Sequence, residues 1–362
     1  MSIAGFVRRL GVGILSAGGL VSQRFQQRLA KHPWFELKAV VGSPKTRGKK
    51  LTDLLWKLDE KRPELPDLTV LDMESSNLFE ELCEHGVDFV FSALPSAVAE
   101  RVEAELASQG MPVLSNASTY RGVDGIPLVV ADLNPHHLKH WNSTPFGAAA
   151  CSTNCTVIPL ALPLKPIWDM VGIDSIKANS EQALSGGGWK LLSQGGNPDP
   201  EIPGEAEKVV DELRHLFGRV KDFTISPTSL PIEMKCKRVN ARDGHIVHAE
   251  VELGRSANKK EVIEWMTAWT DRPQHLDLPS APESPLMIIE DSPDREVHLM
   301  AGGKVTSEFD LRAGMSVVVG NIEVEGKVLR FSALSHNTIR GAAGGCMLLA
   351  ELLHAEGMLR ST

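Results

Sequence analysis

Cys155 follows Asn154 and opens an apolar stretch, Thr156 to Leu164, whose pattern predicts a helix. A helix N-terminus stabilises a thiolate. A thiolate can displace a leaving group from an acyl carbon and hold the acyl group as an electrophilic thioester. Of the five cysteines, Cys83, Cys236 and Cys346 read as buried structural residues, and Cys151 is the nearest rival but precedes the turn. His245 follows Asp243-Gly244 just ahead of an alternating segment, so a turn presents it. A histidine placed there can act as acid or base, although one of twelve needs independent support. Gln182 precedes Ser185 to Gly188 (SGGG), a flexible loop that could fold over a ligand or merely turn. No metal is expected. Cys151 and Cys155 lack a second pair at ligand spacing, and His245 and His248 would point to opposite faces of a strand.

A second set of residues has the types for nucleotide binding. Ser16 to Gly19 form a glycine-bearing turn between a strand pattern and a helix pattern, where a backbone can approach a pyrophosphate. Gly18 and Gly19 are present, while Ser16 and Ser22 stand where glycines are expected. At the end of the next strand an NAD site places an acid for the ribose hydroxyl. This chain offers Ser43, Lys45, Thr46 and Arg47 instead. Cations and hydroxyls suit a 2′-phosphate, hence NADP; a solvated basic loop has the same composition.

These residues need a scaffold. Leu10 to Leu15, Leu37 to Val41, Asp88 to Leu94 and Met111 to Leu114 read as buried strands, and Pro127 to Val130 and Phe146 to Ala150 as two more. Helical patterns fall between them, over Leu20 to Leu29 and Ser96 to Gln109. Alternation of this kind implies a parallel sheet with helices on both faces. From about residue 153 the character changes. Ser175 to Leu184, Ile246 to Leu253, Ser316 to Val324 and Val328 to Leu334 predict strands of a mainly antiparallel sheet, and Thr338 to Leu359 a buried helix.

Composition narrows the class. The 362 residues are enough for about two domains. Apolar residues at 42% and charged residues at 23% suit a globular chain. A net charge of −8 argues against nucleic-acid binding. An odd number of unpatterned cysteines points to a reducing cytoplasm. Arg8-Arg9 before the uncharged run Leu10 to Gln23 looks like a signal peptide, but Gly18-Gly19 break the run. Trp141 to Leu164 is uncharged, yet Pro145, Pro159, Pro163 and Asn154 make it a poor membrane span.

Ten blocks in order resemble the aspartate-β-semialdehyde dehydrogenase family, especially its archaeal and fungal type. They are His32 to Ser43, Phe91 to Ser96, Ser115 to Arg121, Pro127 to Leu138 and Thr153 to Cys155. Then come Gln182 to Gly188, Ile202 to Lys208, Cys236 to His245, Gly314 to Gly320 and His336 to Gly345. The resemblance implies an α/β chain with a Rossmann-like nucleotide-binding domain (1–152 and 336–362) and an α+β catalytic and dimerisation domain (153–335). It implies Cys155 as nucleophile, His245 as acid/base and Gln182 placing the substrate. Arg238 would grip a carboxylate, Glu205 an amine, Arg121 and Lys208 a phosphate, with Asn154 beside the nucleophile. For NADP it implies Ser16, Ala17, Gly18, Gly19, Leu20 and Val21 at the turn, Ser43, Lys45 and Thr46 at the 2′-phosphate, and Ser92, Ser185, Gly186 and Asn337 elsewhere. A small-molecule substrate and a homodimer or homotetramer follow from the same likeness.

Four departures stand out: serines in the glycine loop, Ser152-Thr153 before Asn154, Asn321 in place of an arginine, and the segment Asp291 to Arg312. They leave open an acyl reductase with another substrate, such as a malonyl-CoA-reductase-like enzyme, or a non-catalytic paralogue.

Overall fold

The computed structural model describes residues 8–222, 224–304 and 310–360. Six strands form one wholly parallel sheet: β1 (Leu10–Leu15), β2 (Phe35–Gly42), β3 (Leu71–Asp72), β4 (Phe89–Ser92), β5 (Val113–Ser115) and β6 (Ala149–Cys151). Their order is β3-β2-β1-β4-β5-β6, the doubly wound Rossmann-type arrangement. Every residue of β1 is buried, as a run apolar on both faces requires. The chain reverses direction across the sheet between β1 and β4, and Leu15 pairs with Ser92 at their ends. That crevice is where a doubly wound sheet holds its ligand. Helices α1 (Leu20–Leu29), α2 (Leu78–Glu84) and α3 (Ser96–Ser108) cover the faces.

One expected strand is not formed. Pro127 to Val130 makes only an isolated bridge, Leu128 with Cys151. Val129 N and Pro127 O pair with Cys151, while the Asn134 side chain covers the opposite edge, accepting from Val130 N at 2.8 Å and donating to Leu128 O at 2.9 Å.

After α4 (Ile158–Val171) the second sheet begins with β7 (Ile173–Gln182). Helices α5 (Gly188–Gln194) and α6 (Glu205–Leu216) follow, then the small hairpin of β8 (Arg219–Lys221) and β9 (Thr224–Ser226). The remaining strands are β10 (Ile232–Arg238), β11 (His245–Leu253), β12 (Leu286–Ile288), β13 (Val317–Glu325) and β14 (Val328–Ser335). Helices α7 (Lys259–Ala268), α8 (Arg272–His275) and α9 (Arg295–His298) connect them, and α10 (Gly344–Ala355) closes the chain. The sheet runs β10-β7-β11-β14-β13-β12. Its centre is antiparallel, while β10 and β12 join their neighbours in parallel at the two edges. In β11, Val247, Ala249, Val251 and Leu253 are buried and Glu252 is exposed, as the alternation predicts.

The C-terminal segment returns to the first sheet. Cys346, Met347, Leu349 and Leu352 of α10 share a core with Val12, Ile14 and Phe25. A π-helical turn, Ile339–Ala343, precedes α10 in place of the expected continuous helix. Among the described residues no helix is long and apolar enough to cross a membrane. Part of Asp291 to Arg312, residues 305–309, lies outside the described residues.

Candidate functional site

The two sheets meet at Cys155. Helix α4 opens at Ile158, so Cys155 occupies the turn before it and not the first helical position expected. Asn154 sets that turn: its Oδ1 accepts from Thr156 N at 2.7 Å and its carbonyl from Val157 N at 3.0 Å. Backbone N–H groups are spent inside the turn, which delays the helix. Cys155 Sγ lies 3.3 Å from Nε2 of His245, the first residue of β11. Ala183 N donates to Nδ1 of the same ring at 3.1 Å. A nitrogen that accepts carries no proton, so the neutral ring holds its proton on Nε2, facing sulfur.

Electrostatics keep this pair neutral in the free protein. Burial pushes His245 down to about 3, with Arg238 and Arg295 adding to the effect. Burial pushes the Cys155 thiol up to about 12, and Glu205 raises it further. Arg121 and Arg238 pull the thiol the other way. Desolvation thus opposes the dipole-stabilised thiolate expected from sequence and outweighs the pull of both arginines.

Two glycines let the chain close on this pair. A Cβ on Gly186 would sit 2.9 Å from both Arg238 and the His245 ring. A Cβ on Gly341, in the π turn, would sit 2.7 Å from Cys155 Cβ and 2.9 Å from its Cα. Gly341 was not expected from sequence; its place among small residues (GAAGG) gave no hint of its neighbour. Gly341→Ala should shift Cys155, cost about 1–3 kcal/mol in denaturant unfolding, and slow turnover on the order of 100-fold. Unaltered stability and rate would mean the contact is not tight.

The other expected substrate residues surround the pair unequally. Gln182 and Arg238 end β7 and β10 in register with each other. Gln182 is buried, and Arg238 donates to Ala183 O at 2.8 Å. Glu205, at the start of α6, accepts from Asn154 Nδ2 at 2.9 Å. Lys208 is exposed and lines a cleft of about 600 Å³ with Arg121, Glu212 and Asp211. Arg121 donates to Glu212 at 3.1 Å and to Asn116 O at 2.7 Å, while its buried Nε has no partner among the described residues.

Glu212 was missed by sequence reasoning. It also accepts from Thr153 Oγ1 at 2.7 Å and Asn154 N at 2.6 Å, so one carboxylate ties α6 to the turn that carries Cys155 and to Arg121. The available signal was an acid on the buried stripe Val209, Glu212, Leu213, Leu216. Arg295 was missed too; it donates to Gly244 O at 2.9 Å and Glu181 O at 3.2 Å beside His245.

At the crevice of the first sheet, Ser16 adopts φ 102°. The Ser22 hydroxyl donates to Ser16 O and takes a bond from Gln26 at 3.2 Å, so it is satisfied where a glycine was expected. A Cβ on Gly18 would meet nothing within 4 Å, so the turn faces open space. Ala17 is buried, Gly19 caps α1, which Leu20 and Val21 begin, and no acid lies in its first turn. Ser43 and Lys45 are exposed in the turn after β2, and Thr46 Oγ1 donates to Ser43 O at 3.1 Å. Arg47 is taken by Asp72, which sits beside the end of β2 on β3. Lys45 has no ion pair among the described residues, leaving it available to a 2′-phosphate. These features fit a dinucleotide.

Two of the expected cofactor residues are spent on the protein. Ser92 is fully buried and bonds Glu103. Asn337 accepts from Gly244 N and donates to Ser185 Oγ, each at 2.8 Å, so it braces the turn before His245 against the SGGG segment.

Comparison with known proteins agrees with this geometry. Residues 11–141 match the family model described as semialdehyde dehydrogenase, NAD binding domain. The aspartate-semialdehyde dehydrogenase of Archaeoglobus fulgidus is 35% identical over 97% of this chain and 100% of its own length. The chain belongs to the aspartate-semialdehyde dehydrogenase family.

Within that family the structure is similar to the crystal structure of aspartate-semialdehyde dehydrogenase with NADP from Candida albicans. The TM-score is 0.83 at 29% identity, covering 97% of this chain and all of that one. A protein of Metallosphaera sedula named malonyl CoA reductase (NADP) is 29% identical over 97% of the chain. One departure from the family pattern has a local cause. Asn321 has φ 51° at an irregularity between Gly320 and Glu323 in β13, a backbone state asparagine accepts more readily than arginine.

Proposed function

We propose that this chain interconverts β-aspartyl phosphate and aspartate semialdehyde with NADP, through a thioester on Cys155. The observation that carries the reading is the Cys155–His245 pair at 3.3 Å, with Glu205 reached through Asn154 and Arg238 bonded to the carbonyl of Ala183, whose N–H meets the ring. In the reductive direction the Cys155 thiol first gives its proton to solvent; the thiolate then attacks the acyl carbon, the C–O bond to phosphate breaks, phosphate leaves with the bonding pair and a thioester forms. NADPH, held at its 2′-phosphate by Lys45 with Ser43 and Thr46, would supply the hydride that reduces the thioester. The C–S bond then breaks and releases the aldehyde.

Each side chain has a task set by its chemistry. The Nε2–H of His245 donates to the thiolate and to oxygen as negative charge develops there. The Arg238 fork matches a carboxylate, Glu205 an ammonium, and Arg121 with Lys208 a phosphate. Gln182, at the end of β7, helps place the substrate. For the cofactor, Lys45 with Ser43 and Thr46 favours a 2′-phosphate, and Asp72 is neutralised by Arg47.

A carboxylate beside the nucleophile suits a substrate with an amine, which malonyl-CoA lacks. The division into 1–152 with 336–362 and 153–335, a homodimer or homotetramer, and a cytoplasmic location belong to the same reading. The test is NADP reduction with aspartate semialdehyde plus phosphate, run beside malonyl-CoA with NADPH. Turnover of the semialdehyde, dependent on phosphate and favouring NADP over NAD in kcat/KM, is the expected result. Turnover of malonyl-CoA alone, or preference for NAD, overturns it.

A further inference from the structure

The connection from β2 to β3 crosses the start of α1 and touches the second sheet's loops. The buried side chain of Gln23 in α1 clamps it, donating to Leu55 O and accepting from Lys57 N, both at 2.7 Å. Arg24, also in α1, pairs with Glu60 at 2.6 Å. From the other half of the chain, Arg242 donates to Lys57 O at 3.0 Å and pairs with Asp59 at 2.5 Å. Lys57 is therefore held at its N–H by the nucleotide sheet's first helix and at its carbonyl by the segment that leads into His245.

The Lys57 side chain ends at the glycine turn. Its Nζ donates to Gly18 O and lies 5.4 Å from the centre of the Trp189 ring, in the helix that follows the SGGG segment. Partial burial lowers its pKa. Among the described residues no carboxylate lies within 4 Å of it. An ammonium has three donors and one is spent on the Gly18 carbonyl. The turn it touches faces open space at Gly18 and has no acid in the helix behind it. A cation, a helix start and an open turn thus converge where two of the expected glycines are serines.

We propose that Lys57 binds the pyrophosphate of the dinucleotide, and that Arg242 positions it from the other half of the chain. This rests on the NADP reading above. The ammonium supplies as a point charge the anion affinity that close backbone approach supplies in a turn with all its glycines. Cofactor binding then depends in part on contact between the two halves, because Arg242 of the other half holds the Lys57 carbonyl.

The experiment is equilibrium titration followed by tryptophan fluorescence, since Trp56 and Trp189 flank Lys57. The probes are NADP and adenosine 2′-monophosphate, which carries the 2′-phosphate and no pyrophosphate. Lys57→Met keeps the apolar stem and removes the charge. It should raise the Kd for NADP roughly tenfold or more and leave that for adenosine 2′-monophosphate within twofold, while Lys57→Arg stays near wild type for both. Lys45→Ala should weaken both ligands. Equal loss for both ligands in Lys57→Met, or no change in NADP affinity, overturns the proposal. Failure of the wild-type chain to bind NADP would instead count against the cofactor reading itself.

Discussion

Cys155→Ser should lose acyl transfer by about 10⁴-fold or more while NADP affinity stays within twofold. A hydroxyl in this turn has no nearby base to activate it, because the His245 nitrogen that faces it carries a proton. The measurement is the initial rate of NADP reduction with semialdehyde and phosphate, together with mass spectrometry for an acyl adduct. Cys151 is the control. Burial holds its thiol protonated, and it packs in the core with Leu128 and Val157. Turnover near wild type in Cys155→Ser, or loss confined to Cys151→Ser, would sink the assignment of the nucleophile.

The second large effect is at His245, and it separates two roles. If the ring titrated as a base with an ordinary histidine pKa, the rate would show an acid limb near pH 6.5 that disappears with the ring. The geometry argues for a neutral donor instead. Ala183 N–H occupies Nδ1, and burial with Arg238 and Arg295 pushes the ring's pKa down to about 3, which favours the uncharged form.

The sign of the pH dependence then comes from the thiol. The reactive form is the one that has lost a proton, so the rate rises with pH through the neutral range and falls as pH drops. His245→Asn should lower the rate roughly 10²–10³-fold at every pH, the size of a lost oxyanion donor, and leave the slope unchanged. Nitrogen-15 NMR of histidine-labelled protein should show Nδ1 unprotonated and Nε2 protonated. A limb near 6.5 that vanishes in the variant, or a proton on Nδ1, refutes the donor role.

Much of this site was legible in the chain. The buried run Leu10–Leu15 and the helix Leu20–Leu29 fall at the boundaries their hydrophobic periods predict. The alternation in β11 holds from Val247 to Leu253, while Ile246 at its start is buried as well. Cys155 and His245, ninety residues apart, were both singled out by local context, and the structure brings them into contact. What was misread depends on groups from elsewhere. Pro127 to Val130 has strand composition, but its pairing stops at one bridge to Cys151 and Asn134 takes the groups on its other edge. The start of α4 moves to Ile158 because the Asn154 side chain competes for an early N–H.

The sequence by itself therefore determined the two sheet types, the family and the candidate reacting pair, because hydrophobic period, turn chemistry and ordered motifs are local properties. Only the tertiary structure decided the His245 tautomer, the resting thiol, the Glu212 brace and the reach of Lys57 to Gly18. Each of these is set by a contact across 39 to 91 residues of chain. Hydrogen-bond direction and desolvation depend on which groups arrive from such distances, and no periodicity records that.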